Sequence, residues 1–232
     1  TDLGASLPPS GLGLYVTDTL DDPNAEQTQL AVADLSDEER DRLMQSRTDY
    51  RALYERFKNA PLAVSRDTGA LLYMLARGAR ARNIVEFGTS FGVSTIYLAA
   101  AVRDNMRDFG GEGVVIGTEI EPSKAAIAQQ NLSDAGLSDF VEIRIGDARQ
   151  TLKDAGGPVD FLLLDSWIPL VRPVIDVVAP QLRAGAVVLC DNVELFEQDY
   201  RDYTSLVRDP RNGFRSVLLS HQGGIELSVK LS

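Results

Sequence analysis

Residues 83–101 read NIVEFGTSFGVSTIYLAAA, and this stretch decides the fold. Residues 84–87 are apolar except for one acid, which is typical of a buried parallel strand. Gly88 and Gly92 then bracket a loop of small residues, and Ser94 begins an apolar helical run. Backbone N–H groups in such a loop point inward and nothing bulky blocks approach, so the stretch predicts a cradle for a polar ligand.

The spacing of these glycines narrows the class of ligand. The pattern is E-x-G-x-x-x-G, whereas dinucleotide sites of the dehydrogenase kind carry G-x-G-x-x-G. The sequence therefore favours a ligand that joins a nucleoside to an amino acid over one that carries a pyrophosphate. A dehydrogenase is the weakest of the functional hypotheses.

The chain on either side of this stretch alternates between strands and helices. Two helices precede it, one from Ser36 to about Asn59 and one from about Asp67 to Arg77. The later predicted elements are the strands Val114–Glu119, Val141–Ile145, Phe161–Asp165 and Ala186–Asp191, the helices Pro122–Ala135 and Phe196–Val207, and the strands Phe214–Leu219 and Ile225–Leu231.

This order of elements predicts an α/β fold with a doubly wound, mostly parallel sheet. The last two strands, joined through Gly223 and Gly224, form an antiparallel hairpin that standard dinucleotide-binding sheets lack. Residues 1–60 form an N-terminal arm and helix of the same unit, and residues 61–232 form the ligand-binding domain. Ligands of such sheets collect at the carboxyl ends of the strands.

Composition excludes several classes of function. The 232 residues are 44% hydrophobic and 25% charged, which supports one sizeable core. With 23 Lys and Arg against 34 Asp and Glu, the net charge of −11 repels nucleic acid. The one cysteine, Cys190, excludes an intrachain disulfide. Neither a run of roughly 20 apolar residues nor a signal-peptide layout is present, so we expect a cytoplasmic protein without membrane partners.

Polar residues at the predicted strand ends are the candidates for ligand binding. Glu119 ends the second strand, where an acid can accept from both hydroxyls of a ribose, although a solvated acid fits there too. Asp147 can accept from an adenine amino group or cap a turn. Trp167, the only tryptophan, can cover an adenine or pack ordinarily.

Asp165, Asp191 and Asn192 form the most specific group. They end two neighbouring strands of the predicted sheet, and three oxygen ligands from two strand ends suit a hard cation such as Mg²⁺. An Asp-Asn pair at a strand end is also common as a plain turn. His221, the only histidine, is expected near the hairpin turn as a surface residue and not as a catalytic base.

Together these residues resemble the class I S-adenosylmethionine-dependent O-methyltransferases, specifically the catechol and caffeoyl-coenzyme A O-methyltransferase-like family. The likeness covers roughly residues 60–192 and is consistent with the terminal hairpin. It implies a Rossmann-like methyltransferase fold with seven strands. The segments that carry it, in family order and spacing, are VEFGTSFGVSTIYLA, GTEIEPSKAAIAQQNLSDAGL, IGDA, VDFLLLD and GAVVLCDNV.

The resemblance implies a role for each matching residue. The amino-acid end of S-adenosylmethionine would be held by Glu86, Gly88 and Ser94. The ribose would be held by Glu119, and the adenine by Asp147, Ala148 and Trp167. Val64, Ile120 and Asp165 are further cofactor contacts that the resemblance implies. Asp165, Asp191 and Asn192 match the family's ligands for Mg²⁺ or another divalent cation, and Asp165 is the catalytic candidate.

One departure from the family concerns the acceptor. Relatives carry a lysine three residues after the first metal aspartate and a tyrosine three residues further on. Ile168 and Val171 occupy those positions, so the usual catalytic base is missing. The leading hypothesis is transfer of a methyl group to a hydroxyl of a small molecule, with a divalent cation. The alternatives are metal-independent transfer to a carboxylate or amine, and a cofactor-binding protein without turnover.

The resemblance also bears on assembly. Bacterial relatives of this kind are commonly dimers, and the N-terminal arm is longer than the core requires. We therefore expect a homodimer in which the N-terminal segment contributes to the interface or covers the cleft.

Overall fold

The computed structural model of the chain describes residues 34, 36, 39, 42, 46, 50–60 and 62–231. The helices are α1 (Tyr50–Arg56), α2 (Arg66–Gly78), α3 (Val93–Phe109), α4 (Pro122–Asp134), α5 (Ala148–Thr151), α6 (Ile168–Val178) and α7 (Arg201–Arg208). The strands are β1 (Asn83–Phe87), β2 (Val114–Glu119), β3 (Val141–Ile145), β4 (Val159–Leu164), β5 (Leu182–Cys190), β6 (Phe214–Leu219) and β7 (Ile225–Lys230).

The strands form one seven-stranded sheet in the order β3-β2-β1-β4-β5-β7-β6. Strands β1 to β5 are parallel, and β7 is antiparallel to both β5 and β6. The predicted doubly wound sheet with an antiparallel hairpin is thus confirmed. Because β6 runs in the same direction as β5, the β6–β7 loop opens on the edge where the parallel strands end. We call this side of the sheet the cleft edge.

The two faces of the sheet carry separate layers of core. Successive side chains of a strand point to opposite faces. Ile84 of β1 accordingly packs in the cluster that includes buried residues of α2 and α3. Val85 and Phe87 pack in the cluster that includes buried residues of α6 and α7. Helices cover both faces, so only the ends of the strands are open to a ligand.

Most predicted boundaries hold within a few residues. The Ser36–Glu39 capping box is present, with the Glu39 N–H donating to Oγ of Ser36 at 3.3 Å and the Ser36 N–H to the Glu39 carboxylate at 3.1 Å. However, α1 ends at Arg56 and not at Asn59, because Phe57 turns into the core. Residues 196–200, predicted as helix, form turns before α7.

The acids predicted to end two strands lie just outside the sheet. Strand β4 ends at Leu164 and β5 at Cys190, so Asp165 and Asp191 follow the last ladder residues and are directed to the cleft edge. Residues 1–33 lie outside the described residues, and the expected homodimer stays a prediction. None of the helices in the described ranges is long and apolar enough to cross a membrane.

A buried amide fixes α3 against the end of α2. Asn105 is fully buried, and its Nδ2 donates to the carbonyl oxygens of Ala76 and Ala81 at 3.1 and 2.7 Å. Its Oδ1 accepts from Arg77 at 2.7 Å. The Ala76 carbonyl also accepts from the Ala81 N–H at 2.9 Å. The Asn105 amide therefore adds a second bond at the end of the helix and supplies a donor to the Ala81 carbonyl just beyond it.

We predict that Asn105→Ala lowers the free energy of unfolding by about 1–3 kcal/mol, because it removes the three hydrogen bonds of a buried amide, among them the donor to the Ala81 carbonyl. Urea denaturation followed by circular dichroism measures the change. The control is Gln130→Ala, which removes an exposed hydrogen bond to Asp134 within α4 and should change stability by less than about 0.5 kcal/mol. Equal stability of the Asn105 variant and the wild type would contradict the assignment.

Candidate active site

A buried carboxylate supports the glycine loop from beneath. Glu86 on β1 is 0% exposed, and its Oε2 accepts from the hydroxyls of Thr89 and Thr95 at 2.9 and 2.5 Å. Gly117 on β2 makes this possible, because a methyl group at that position would collide with Oγ1 of Thr89. Burial raises the pKa of Glu86, and hydrogen bonds from the Thr95, Ser94 and Thr89 hydroxyls partly offset this rise. Its Oε1 is buried without a hydrogen-bond partner among the described residues.

Gly88 lets the loop approach the end of β4. Its φ is +107°, a conformation that side-chain-bearing residues rarely adopt. A methyl group at Gly88 would collide with the backbone carbonyl oxygen of Asp165. The first glycine of the motif is therefore required by both conformation and space, and it brings β1 and β4 together at the cleft edge.

Two adjoining hollows meet at Gly88. The first hollow lies over the ends of β1, β2 and β3, and the second lies between the start of α2 and the loop. The first is lined by Tyr54, Phe87, Gly88, Thr118, Glu119, Ile120, Gly146, Asp147, Ala148, Ser166, Trp167 and Leu170. The second is lined by Leu62, Ala63, Val64, Gly88, Thr89, Ser90, Phe91, Val93 and Ser94.

The sequence-predicted cofactor residues fall mostly into these hollows. Six of them line the first hollow: Gly88, Glu119, Ile120, Asp147, Ala148 and Trp167. Three line the second hollow, which shares Gly88 with the first: Val64, Gly88 and Ser94. Glu86 and Asp165 line neither hollow. Glu86 braces the loop from below, and Asp165 contributes its backbone carbonyl beside Gly88.

Glu119 connects the end of β2 to the loop after β1. Its Oε2 accepts from the Ser90 N–H at 2.8 Å, and its Oε1 accepts from the N–H groups of Ile120 and Glu121 at 2.8 and 2.9 Å. A carboxylate oxygen has two lone pairs, so Oε1 is fully used, whereas Oε2 accepts one bond and retains capacity for a ligand hydroxyl. Burial raises the pKa of Glu119, and the Glu121 N–H and then the Lys124 charge lower it.

Lys124 is a site residue that sequence reasoning missed. It is 0% exposed on α4, with its Nζ 3.5 Å from Oγ of Ser90 and over the rings of Phe91 and Tyr54 at 5.6 and 5.9 Å. Burial lowers the pKa of Lys124, although the charges of Glu119 and Glu121 act to raise it. Its cation therefore helps to keep Glu119 ionised. A lysine in a helix with other polar residues gives no sequence signal that it is buried.

Asp147 adopts the capping role that the sequence left open. It is the N-cap of α5, and its Oδ1 accepts from the Arg149 N–H at 2.9 Å. The guanidinium of Arg149 also bonds Oδ2 at 2.6 Å. The side chain still lines the first hollow, so the cap places the acid at the cleft without deciding its proposed contact with adenine.

The N-terminal helix contributes to the wall of the first hollow through Tyr54, which sequence reasoning also missed. Its hydroxyl lies 2.6 Å from Oγ of Ser166, and its ring meets Trp167 edge-on at 6.1 Å. The Trp167 Nε1–H donates to the Ser46 carbonyl at 3.0 Å. Trp167 thus packs and lines the hollow at once, and the two alternatives that the sequence offered are compatible.

The three residues predicted to bind a cation follow the ends of β4 and β5 at the cleft edge. Burial, and next the charge of Asp191, raise the pKa of Asp165 well above its usual value. Burial raises the pKa of Asp191 to about 6, although the Asn192 N–H and the charge of His221 act to lower it. Asn192 adopts a φ of +61°, and its Nδ2 donates to Oδ2 of Asp191 at 3.4 Å.

His221 lies in the hairpin turn, as the sequence predicts, and it is only partly exposed there. The side chain is half-buried, and its Nε2 lies 3.2 Å from Oγ1 of Thr68 on α2. It is also near enough to Asp191 for the two charges to interact. Sequence reasoning missed this placement because the contact joins residues that are 153 positions apart.

Comparison with known proteins agrees with this geometry. Residues 85–193 match the family model described as a methyltransferase domain. The chain is 38% identical over 133 residues to a catechol O-methyltransferase of Mycobacterium tuberculosis and 35% identical over 136 residues to one of Niastella koreensis. Each alignment covers 57% of this chain. The chain spans 57% and 58%, respectively, of the length of these two relatives.

Solved structures extend the likeness over nearly the whole chain. The O-methyltransferase TomG of Streptomyces achromogenes, solved in complex with S-adenosylmethionine, is 26% identical with a TM-score of 0.67. That alignment covers 95% of this chain and 94% of TomG. The sheet with its antiparallel hairpin is the Rossmann-like methyltransferase fold. Residues 85–193 thus match a methyltransferase domain, and the chain is similar to O-methyltransferases, two of them named catechol O-methyltransferase.

Proposed function

We propose that this protein transfers a methyl group from S-adenosylmethionine to a hydroxyl of a small molecule, with the help of a divalent cation. The observation that carries the proposal is the bond between Ser90 and Glu119 at 2.8 Å. It fixes an acid at the end of β2 beside the glycine loop after β1, which is the arrangement that a nucleoside with an attached amino acid requires. The likeness to catechol O-methyltransferases supports the choice of reaction.

The two hollows suit the two ends of this cofactor. The ribose hydroxyls would donate to Glu119, and the adenine would lie between Ile120, Ala148 and Trp167 in the first hollow. The amino-acid end would occupy the second hollow at the loop, above the buried Glu86 carboxylate. Cavities of this kind are mostly apolar with a few fixed polar groups. The chain's work on the donor is therefore positioning, since the sulfonium already has a good leaving group.

We predict that Glu119→Ala weakens S-adenosylmethionine binding by about 1–3 kcal/mol, or roughly 5- to 150-fold in Kd, because the ribose hydroxyls lose a charged acceptor. Isothermal titration calorimetry with S-adenosylmethionine and with its demethylated product measures the loss. The control is Glu142→Ala, which removes an exposed acid of the neighbouring β3 and should leave affinity within twofold. Binding of NAD without binding of S-adenosylmethionine would refute the proposed cofactor.

The residues at the cleft edge fit a divalent cation. Oδ1 of Asp191 is buried without a hydrogen-bond partner in the described part of the chain, and the charge of Asp191 raises the pKa of Asp165. The Oδ1 of Asn192 faces Gly223, and exchanging the amide oxygen and nitrogen would turn it to Asp191. Within the described ranges, no three His, Cys, Asp or Glu side chains converge, so the proposed set is two carboxylates and one amide.

We predict that Asp191 destabilises the metal-free protein at neutral pH. Its folded pKa of about 6 exceeds the usual 3.8, so the folded state holds the proton more tightly than the unfolded state. The contribution of Asp191 to the free energy of unfolding should be fully present below about pH 4 and be lost as the pH rises through about 6. Asp191→Asn should remove about 1–3 kcal/mol of this loss.

Denaturation between pH 4 and pH 7 in the presence of chelator gives both curves. Excess Mg²⁺ at pH 7 should stabilise the wild type and leave Asp191→Asn unchanged, because only the wild type keeps the charge that holds the ion. If the wild type and the variant show the same pH dependence, the burial of this carboxylate has no energetic consequence. If Mg²⁺ stabilises neither, the group is a turn and not a metal site.

The positions of the family's lysine and tyrosine are closed to proton transfer. Ile168 begins α6 and packs partly buried against the core, and Val171 is fully buried. Neither side chain can accept a proton. A bound cation supplies acidity by lowering the pKa of a hydroxyl that it holds. An acidic phenol or enol therefore suits this site better than an ordinary alcohol.

We predict that methyl transfer to such a phenol rises with pH and is abolished by chelator. Ile168→Lys should raise turnover on ordinary catechols by restoring a base at the family position, whereas Ile168→Met, which keeps the position apolar, should not. Initial rates with radiolabelled methyl donor measure both effects. Chelator-resistant, pH-independent transfer to a carboxylate or amine would favour the second candidate function. Cofactor binding without turnover on any of these acceptors would favour the third.

A further inference from the structure

One face of the C-terminal hairpin is aliphatic and exposed. On the side of the sheet that carries α2 and α3, Val217 of β6 pairs with Leu227 of β7, which pairs with Leu189 of β5. The exposed fraction rises along this row, from 0% at Leu189 through half-buried Leu227 to 53% at Val217. We call this surface the hairpin face. Its eight positions are Val187, Leu189, Arg215, Val217, Leu219, Ile225, Leu227 and Val229.

The opposite face of the same hairpin buries polar groups. Glu226 and Ser228 are 0% exposed on the side of α7, and the Glu226 carboxylate accepts from Nη2 of Arg208 on that helix at 2.6 Å. The Ser216 hydroxyl donates to the same carboxylate. An antiparallel sheet with one solvated face usually turns its apolar residues inward and its polar residues to water. The hairpin reverses this arrangement, so a partner is expected to cover its aliphatic face.

Helix α2 forms a wall beside the hairpin face. It begins next to the hairpin turn, where Oγ1 of Thr68 lies 3.2 Å from Nε2 of His221. It ends near the start of β5, where the Ala79 carbonyl accepts from Arg183 at 3.3 Å. The helix therefore runs along the hairpin from the cleft edge to the opposite edge of the sheet.

The flank of α2 that borders the hairpin face is apolar as well. Tyr73 donates to Asp104 of α3 at 2.8 Å, and Leu72 is buried in the core cluster of the sheet. Since successive helical residues turn by about 100°, Leu71 and Leu75 lie on the flank away from α3. Both are only half-buried. The hairpin face and this flank thus form an apolar groove that is open at the β6 edge.

Charge and size limit what can occupy the groove. The hairpin face carries one charged residue, Arg215, and no acid, although the chain has 34 Asp and Glu and a net charge of −11. Two copies of the chain therefore repel one another least where these faces meet. Three rows across three strands cover roughly 14 by 20 Å, less than the about 800 Å² that each partner of a stable interface buries. The flank of α2 must then belong to the interface too.

We propose that the groove binds the hairpin of a second copy of the chain. In a two-fold dimer whose axis runs parallel to the strands above β7, the two hairpin faces meet, and β6 of each copy lies against α2 of the other. Each copy fills the groove of the other, and the open edge of β6 is covered at the same time. This interface does not depend on the proposed methyl transfer.

The N-terminal segment of the same chain is the other candidate for the groove. However, the described chain enters from a different side of the molecule. Arg56 at the end of α1 bonds Asp34 at 2.6 Å, and Phe57 packs in the cluster on the opposite face of the sheet. Residues 1–33 would have to pass around the sheet from there, whereas the hairpin of a second copy matches the groove in shape and charge.

Analytical ultracentrifugation of the full chain tests the interface. The wild type should sediment as a dimer, and Val217→Asp should raise the dissociation constant by about 100-fold or more, because two-fold symmetry buries the new charge twice. The control Ile145→Asp adds the same charge at a 51% exposed position on β3, the other edge strand of the sheet. This control should stay dimeric. Circular dichroism checks that both variants are folded.

A second measurement needs no substitution. In the wild type, the backbone amides of β6 should exchange with deuterium more slowly as the protein concentration rises through the dissociation constant, because the partner covers this strand. The amides of β3 should exchange at the same rate throughout. Mass spectrometry of peptic fragments gives both rates.

Three outcomes would overturn the proposal. A monomeric wild type would mean that the N-terminal segment or a different partner covers the groove. A dimer that survives Val217→Asp, or in which exchange in β6 is independent of concentration, would have its interface elsewhere. Dissociation of Ile145→Asp to the same extent as Val217→Asp would mean that net charge, and not the hairpin face, controls association.

Discussion

The bonds from Thr89 and Thr95 to the buried Glu86 carboxylate are the interaction on which the cleft depends. They bind the loop after β1 and the first turn of α3 to a single group inside the sheet. Gly117 on the neighbouring strand leaves room for Thr89, because a side chain at that position would collide with the Thr89 hydroxyl. An unsupported loop of small residues would sample many conformations. Fixed in this way, it presents the Ser90 N–H to Glu119 and leaves the Gly88 backbone open to a ligand.

The cleft edge brings several acidic side chains close together. Glu86, Asp165 and Asp191 end up close enough for the charges of Glu86 and Asp191 both to raise the pKa of Asp165. Folding alone does not favour this arrangement, because each buried acid costs free energy to ionise. Cationic ligands reverse the balance. A sulfonium donor and a divalent ion are both cations, so the same field that makes these acids costly to ionise attracts the two proposed ligands.

The sequence predicted the part of this site that local pattern controls. Apolar runs ending in acids located the strands, and the glycine spacing located the cradle, because these features are set by backbone geometry within one segment. Tyr54, Lys124 and His221 could not be found in this way. Each is an ordinary residue in its own segment and reaches the cleft only through packing with distant parts of the chain. Likewise, only the fold shows that Asp147 is committed to a helix cap.

Because β7 lies antiparallel between β5 and β6, the two sides of the cleft edge come from different parts of the sheet. Strands β1 to β3 supply the side proposed for the methyl donor, and that side tolerates little change, since Gly88 and Gly117 admit no side chain. The hairpin contributes to the cleft edge from a turn outside the ladder, where insertions and substitutions disturb few bonds. Under the proposed function, such a scaffold can exchange one acceptor for another by altering a five-residue turn, from Ser220 to Gly224, while the proposed donor side stays unchanged.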